Sequence, residues 1–391
     1  MGTAARSSGA IGAVYPATNE VFHDETIFRA ELRRLFHDSW VFAGTLDMLP
    51  GTDTWFVYED FERSVIVTRD RQGRIGAFVN SCRHRGARLC EKAGAGKIKC
   101  PYHGWVYDCD GRLLGATRRK GLPDFDPNDL GLQTLRADTV GPFIFIGPGD
   151  ANAASLTDFL GPVAEELQRL GETIYGFFAE IRMTIRANWK LAVAGGIEDY
   201  HVPFVHGGTL GKAEPEAATS LLQMNGHSSF RVPFKAAPLL RALVQHAVGG
   251  DLVDEQHNQL VFPNLLAVRT WTIFSTHQMI PLGVNRTLRV SRLYDTFPLR
   301  SAFTPAGLLQ RVARRQGLKV AAAVYGEDRD ICEVASEGTL AGRTLPRGPA
   351  HVDEARVEHF LREVARALGV RYVSYGANAA SHLDLTGDPP V

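Results

Sequence analysis

No stretch of this 391-residue chain approaches the roughly 18 apolar residues of a membrane-spanning helix. The most apolar run, VGPFIFIGPG, is short and flanked by Gly-Pro pairs, which reads as a buried strand. The first fourteen residues, MGTAARSSGAIGAV, hold one Arg and no apolar core of signal-peptide length. Cysteine is scarce. Cys82, Cys90, Cys100, Cys109 and Cys332 do not form a disulfide framework in a chain of this size, and a reducing cytoplasm is the expected location. Neither sign of charge is in excess, with 43 Lys plus Arg against 43 Asp plus Glu. That balance gives no support for a nucleic-acid partner or an anionic membrane surface. No internal repeat is present, and no glycine-rich dinucleotide fingerprint follows a strand. What is present is globular and core-forming, 45% apolar and 22% charged, with length for two ordinary domains.

The most informative residues are Cys82-Arg-His84 and Cys100-Pro-Tyr-His103, with fifteen residues between the two halves. Two thiolates and two imidazoles make a four-ligand metal site. Each half is mixed, one Cys and one His, which suits two sulfide-bridged irons approached from opposite sides by two loops. A Cys2His2 zinc site uses the same residue types, but it ordinarily pairs Cys with Cys and His with His. Gly86 and Gly104 sit beside the ligands, where backbone passes close to a cluster. Pro101 and Trp105 are expected to shield it from water. Cys90 and Cys109 lack a histidine at ligand spacing and read as ordinary small residues.

Residues 26 to 38 place Phe28, Leu32 and Leu35 at helical spacing. Short β-branched and aromatic runs with Gly or Asp-Gly turns follow, up to about residue 150. The pattern then changes. EIRMTIRANWKLAVAGG reads as a strand entering a helix, residues 218 to 295 as further strands, and residues 304 to 337 as a helix opened by Thr304-Pro305. VEHFLREVARAL is a last helix. The expected class is α+β. The expected division is an N-terminal helix at residues 1–39 packed on the catalytic domain, a β domain at 40–150 holding the cluster, and the larger domain at 151–391.

The larger domain carries His201 and His206 in NWKLAVAGGIEDYHVPFVHGG. Positions five apart on a straight helix diverge by about 140°, so a shared target requires the helix to bend or end between them. Pro203 supplies a disruption. Two histidines with one carboxylate form the facial triad of non-haem Fe(II) sites, which leaves positions open for dioxygen. A His-x4-His pair alone is weak evidence of metal.

CRHRG followed by CPYHGW resembles the Rieske family of [2Fe-2S] proteins, and the segment from Asn188 to His206 resembles the catalytic motif of Rieske non-haem iron oxygenases. The resemblance spans nearly the whole chain in order and spacing. It implies a Rieske domain followed by a helix-grip catalytic domain with an antiparallel sheet and C-terminal helices. It implies a [2Fe-2S] cluster on Cys82, His84, Cys100 and His103, and a mononuclear Fe(II) on His201, His206 and a carboxylate from a C-terminal helix. Asp328 in GEDRDICEVASEG is the chosen third ligand. Asp330, two residues on and about 200° around the helix, competes for the role.

In the family an acid three residues before the first iron histidine bridges a cluster histidine of one subunit to an iron histidine of its neighbour. Carried over, Glu198 joins His103 to the neighbour's equivalent of His201. A Glu here resembles homotrimeric members, including those that oxidise quaternary ammonium compounds. The chain departs from the family at Ala194-Gly195, where an acid-Asn pair is common, and Gly195-Gly196 favours local unwinding.

The expected function is the terminal oxygenase component of a system using dioxygen. NAD(P)H contributes only indirectly, through a separate reductase and in some systems a ferredoxin. A β subunit stays open, as do monohydroxylation, dihydroxylation and oxidative demethylation of the substrate. Phe230, Phe234, Phe262, Trp271 and Phe274 are either core residues or the lining of an aromatic, apolar or quaternary-amine site. A zinc-stabilised carrier of hydrophobic ligands and a pure electron carrier are the readings from other classes.

Overall fold

The computed structural model describes residues 14–150, 152–210, 218–233, 245, 253, 255–298 and 303–373. Phe234, the first thirteen residues and the tail after 373 lie outside them.

Asp24 opens the first helix, Glu25–Glu31, by accepting hydrogen bonds from the Thr26 and Ile27 amides. The helix runs on into a π-helical turn, Leu32–His37, and buries Ile27, Phe28, Leu32, Leu35 and Phe36. Glu31 on this helix is fully buried. Its carboxylate receives the Trp189 indole N–H at 2.9 Å, Lys190 Nζ at 2.7 Å and the Tyr15 hydroxyl at 3.2 Å. A buried ion pair is tolerated only when its remaining hydrogen-bonding capacity is met, and here three donors meet it. The chain's first and last described strands also pair, Val14 with Arg371 and Tyr15 with Tyr372.

A seven-stranded sheet follows, ordered Val41–Thr45, Phe143–Gly147, Thr134–Val140, Ile75–Val79, Ser64–Arg69, Thr54–Glu59, Gly94–Ala95. All its pairings are antiparallel, and the strand that enters this unit lies beside the strand that leaves it. A three-stranded sheet, Ile98–Lys99, Val106–Tyr107, Leu113–Gly115, packs with it. Ile66, Phe78, Ile98, Trp105 and Tyr107 enclose Cys82 and Cys100 in one core cluster.

The larger unit is built on a second seven-stranded antiparallel sheet. Its order is Gly176–Ile185, Arg286–Asp295, Ile273–Gly283, Leu265–Arg269, Glu255–Val261, Ser228–Pro233, Thr219–Leu222. Alternation along each strand splits its residues between two faces. Val261, Leu265, Ala267, Phe274 and Tyr294 join Trp40, Phe42, Phe143 and Phe145 and the helices Leu156–Leu160 and Val163–Glu172 in a second core. The Asn264 amide ties the two sheets by bonding both the N–H and the C=O of Phe42, at 3.0 and 3.1 Å. Ser275, His277, Arg289 and Ser291 turn to the other face, toward Tyr325 and Asp328 on the long helix Pro305–Ala341. Thr304 caps that helix through the Gly307 amide at 3.1 Å. The helix Ala355–Ala367 closes the unit, its Phe360 packed edge-on to Trp189. Among the described residues no helix is long and apolar enough to cross a membrane.

Candidate metal centres

The two cysteine-histidine halves fold into matching turns. Gly86 N–H bonds the Cys82 carbonyl at 2.8 Å, and Gly104 N–H bonds the Cys100 carbonyl at 3.0 Å. Both glycines have positive φ, +71° and +72°, a conformation that side chains disfavour. The turns set His84 against His103 with ring centroids 4.7 Å apart. His84 Nδ1 is buried with no hydrogen-bond partner, which fits an atom reserved for a metal. The Tyr107 hydroxyl lies 3.3 Å from Cys82 Sγ and accepts the Arg83 amide at 3.1 Å.

Trp105 is buried and stacks on His84 with its ring plane only 5° away. Pro101 is exposed, contrary to its expected shielding role; it sits at the tip of its turn, where no element covers it. Tyr102 stacks on His103 at 3.8 Å and is 57% exposed, so this edge of the site faces outward. Burial pushes the Cys90 thiol up to about 11 and the Cys109 thiol up to about 12, which leaves both protonated and inert.

The second centre begins at Asn188. Its side chain caps the helix Trp189–Ala194, which ends at Gly195. Gly196 packs so closely that a Cβ there would meet Leu266 at 3.0 Å. The chain then turns into a four-residue helix, Val202–Val205, with His201 at its N-terminal cap and His206 at its C-terminal cap. Pro203 therefore does not break a helix between the histidines. It sits in the first turn, where its missing N–H costs nothing.

His201 Nε2 and His206 Nε2 approach to 3.3 Å, and Asp328 Oδ1 lies 3.0 Å from His206 Nε2 and 3.8 Å from His201 Nε2. One donor atom from each of the three falls within 4.8 Å of the others, and no other such group occurs among the described residues. Asp330 is exposed and paired with Arg329 at 2.6 Å. No three of Cys82, His84, Cys100 and His103 converge in the manner of the triad. A single tetrahedral zinc would draw all four donors within about 4 Å of one another, so their spread suits a two-iron cluster.

Each triad histidine turns its far nitrogen to a carboxylate. His201 Nδ1 meets Glu198, whose other oxygen accepts the His201 amide at 3.0 Å. His206 Nδ1 meets Glu327 Oε2 at 2.7 Å, and Thr209 donates to the second Glu327 oxygen. Such partners fix the tautomer that leaves Nε2 free for metal. Arg289 Nη1 holds Asp328 Oδ2 at 2.9 Å, so one carboxylate oxygen faces the histidines. Burial works to raise the Asp328 carboxyl, but the His206 hydrogen bond and Arg289 outweigh it and hold it below the usual range. Three carboxylates around two imidazoles suit a divalent cation.

Behind Asp328, Arg289 lies over the Tyr325 ring at 4.1 Å and bonds Ser291 at 3.2 Å. His277 bridges Ser275 and Ser291 at 3.1 and 2.9 Å, and burial with Arg289 holds it well below its ordinary value, hence neutral. Sequence reading did not find Glu327, Thr209, Arg289 or Tyr325. The acidic pair Glu327-Asp328 was read only for Asp328, and its other carboxylate orients His206. Phe262 packs on Phe360, and Phe274 on Phe143 and Tyr294 in the opposite core, so neither faces the triad.

Two family models match the chain, the Rieske [2Fe-2S] domain at residues 39–126 and the ring hydroxylating alpha subunit (catalytic domain) at 173–369. The glycine betaine monooxygenase oxygenase subunit of Pseudomonas aeruginosa (strain UCBPP-PA14) is 34% identical over 204 residues, 51% of this chain and 45% of that protein. The match thus spans about half the length of this curated relative. The chloroplastic choline monooxygenase of Beta vulgaris is 27% identical over 331 residues, 81% of this chain and 69% of its own length. A quaternary ammonium Rieske monooxygenase, CntA, shares the fold with TM-score 0.76 at 19% identity, covering 90% of this chain and 94% of its own. Naphthalene 1,2-dioxygenase from Rhodococcus sp. does so with TM-score 0.73 at 20% identity, over 90% and 93%. With both domain models matched in order, the chain belongs to the Rieske-type ring-hydroxylating oxygenase alpha-subunit family.

Proposed function

We propose that this chain is a terminal oxygenase component that uses dioxygen and externally supplied electrons to hydroxylate or oxidatively demethylate an organic substrate. The observation that carries this reading is the meeting of His201, His206 and Asp328 within one chain that also presents a Rieske cluster motif. When bound, a mononuclear Fe(II) offers open positions where dioxygen and substrate meet, and a [2Fe-2S] cluster delivers single electrons.

The residues divide the work. Cys82, His84, Cys100 and His103 hold the cluster, with Tyr107 fixing Cys82 and Trp105 excluding water from His84. His201, His206 and Asp328 hold the iron, and Glu198, Glu327 and Arg289 fix their orientation. Glu198 is also the bridge between subunits. Each of its oxygens already accepts one bond from His201, and each keeps a second lone pair for an imidazole N–H of a neighbouring His103. That role makes the working unit an oligomer, a homotrimer in this reading. A separate reductase supplies the electrons.

Within this reading a quaternary-ammonium monooxygenase is favoured by Glu198 and by similarity to the glycine betaine and choline monooxygenases. The test has two steps. Iron, acid-labile sulfide and an electron-paramagnetic-resonance spectrum establish the cofactors. Turnover of a panel of quaternary amines and aromatic acids with a reductase under labelled dioxygen then reads oxygen incorporation. Zinc in place of iron and sulfide would leave a ligand carrier, and metal-replete protein that incorporates no oxygen would leave an electron carrier.

A further inference from the structure

Arg356 opens the helix Ala355–Ala367 and is 1% exposed, yet Nε, Nη1 and Nη2 are all buried without a hydrogen-bond partner. An Arg presents five N–H donors and cannot shed its charge. Leaving all of them unmet in the interior is costly, and a native structure has a reason for it. Among the described residues the one acid in ion-pair range, Asp199, is 3.8 Å away, beyond hydrogen-bonding distance. Glu198 and Asp353 act on Arg356 only from farther off.

The guanidinium carbon lies 3.6 Å from the centre of the Phe230 ring, so that ring covers the cation from one side. The strand register places it. Phe230 pairs with Asn258, Asn258 with Val268, and Val268 with Ser275. Directly paired residues share a sheet face, as do residues two apart on one strand. Phe230 therefore lies on the face that carries His277, Arg289 and, through Arg289, Asp328. Ser228, two residues before Phe230, adds a buried hydroxyl oxygen with no partner on that face. Asp199 stands two residues from His201, which ties Arg356 to the other side of the triad as well.

We infer that Arg356, backed by Phe230, is the anchor for a carboxylate of the substrate, whose other end then lies toward His201, His206 and Asp328. This inference rests on the oxygenase reading above and names its substrate class. A planar guanidinium edge matches a carboxylate in a bidentate pair. One buried cation balances a monoanion, and a phosphate dianion would leave charge unmet. The site selects an acid over the corresponding alcohol, glycine betaine over choline among the quaternary amines or benzoate over benzyl alcohol among aromatic compounds.

The test is calorimetric titration of the metal-loaded protein with those four compounds. In at least one pair the acid should bind roughly tenfold or more tightly than the alcohol, as hydrogen bonds to a charged group imply. Arg356→Met should abolish that preference, and Arg356→Lys should restore part of it. Equal binding of acid and alcohol in both pairs, no binding of either acid, or an unchanged preference in Arg356→Met would overturn the assignment. The acid–alcohol comparison stands on the natural protein even if a variant fails to fold. Iron and labile sulfide are measured on the same samples: their absence sinks the oxygenase reading, whereas their presence without acid preference sinks the Arg356 subsite alone.

Discussion

Glu327 Oε2 lies 2.7 Å from Nδ1 of His206, across 121 residues of chain. The contact leaves Nε2 of His206 as the nitrogen that faces His201 and Asp328. Glu327 itself is only half-covered, so it orients the imidazole without being buried with it. Glu327→Gln keeps the shape and removes the charge. Iron affinity should fall about 10- to 100-fold, read by competition against a chelator. An unchanged affinity would show that packing and Asp328 hold His206 without the Glu327 charge.

Glu198→Gln separates electron delivery from metal binding. Cluster content should match the natural protein; iron affinity should weaken as in Glu327→Gln, because Glu198 orients His201, so turnover is compared at equal iron content. Turnover should fall about 10- to 100-fold. Mixing this variant with one lacking the triad histidine His201 distinguishes a bridge between subunits from one within a chain. Turnover equal to the natural protein's would sink the bridge.

The buried Lys190–Glu31 pair, 2.7 Å apart with both side chains fully covered, joins the N-terminal helix to the helix that precedes His201 and His206. Burial pulls the Lys190 amine downward, and Glu31 opposes that pull. Lys190→Met leaves the Glu31 carboxylate buried with only Trp189 and Tyr15 as donors. The loss should be about 3–5 kcal/mol, seen as a lower urea midpoint. A shift of less than about 1 kcal/mol would mean that water reaches Glu31.

His227 is enclosed between the Phe159 carbonyl, 3.0 Å from Nε2, and the Phe262 amide, which donates to Nδ1 at 3.1 Å. Burial lowers its pKa from 6.5 to about 4, against the favourable Phe159 bond. Between those values the unfolded chain binds a proton that the folded chain refuses. Stability therefore falls as pH drops from 6.5 toward 4, by roughly 3 kcal/mol in total. His227→Gln should flatten urea midpoints measured across this window. An equal slope in the variant would assign the acid sensitivity elsewhere, His277 being the next buried imidazole of the same sign.

The cluster motif was readable because all its chemistry lies within 22 residues, Cys82 to His103, and its glycines and ligands are local. The first helix was readable from the spacing of Phe28, Leu32 and Leu35, and the long one from its Thr304-Pro305 start. Asp328 needed the family pattern, since nothing near it in sequence points at His206. Arg289 and Arg356 were illegible for a plainer reason. An Arg in a strand or on an amphipathic helix looks solvated, and only the register that sets Arg356 against Phe230 and the helix that brings Asp328 to Arg289 show otherwise. Pro101 misled because a proline beside a ligand says nothing about what covers it. Phe262 and Phe274 took the core-packing alternative that the sequence reading had offered for them.

The adjacency of strands Val41–Thr45 and Phe143–Gly147 has a consequence for biosynthesis. Both ends of the cluster unit are neighbours in its sheet, so all its strands are available once residue 147 has emerged. The larger unit is not complete then, because Glu31 waits for Lys190 and Tyr15 waits for Tyr372. A nascent chain thus completes every strand of its first seven-stranded sheet before Lys190 or Tyr372, the partners of Glu31 and Tyr15, exists.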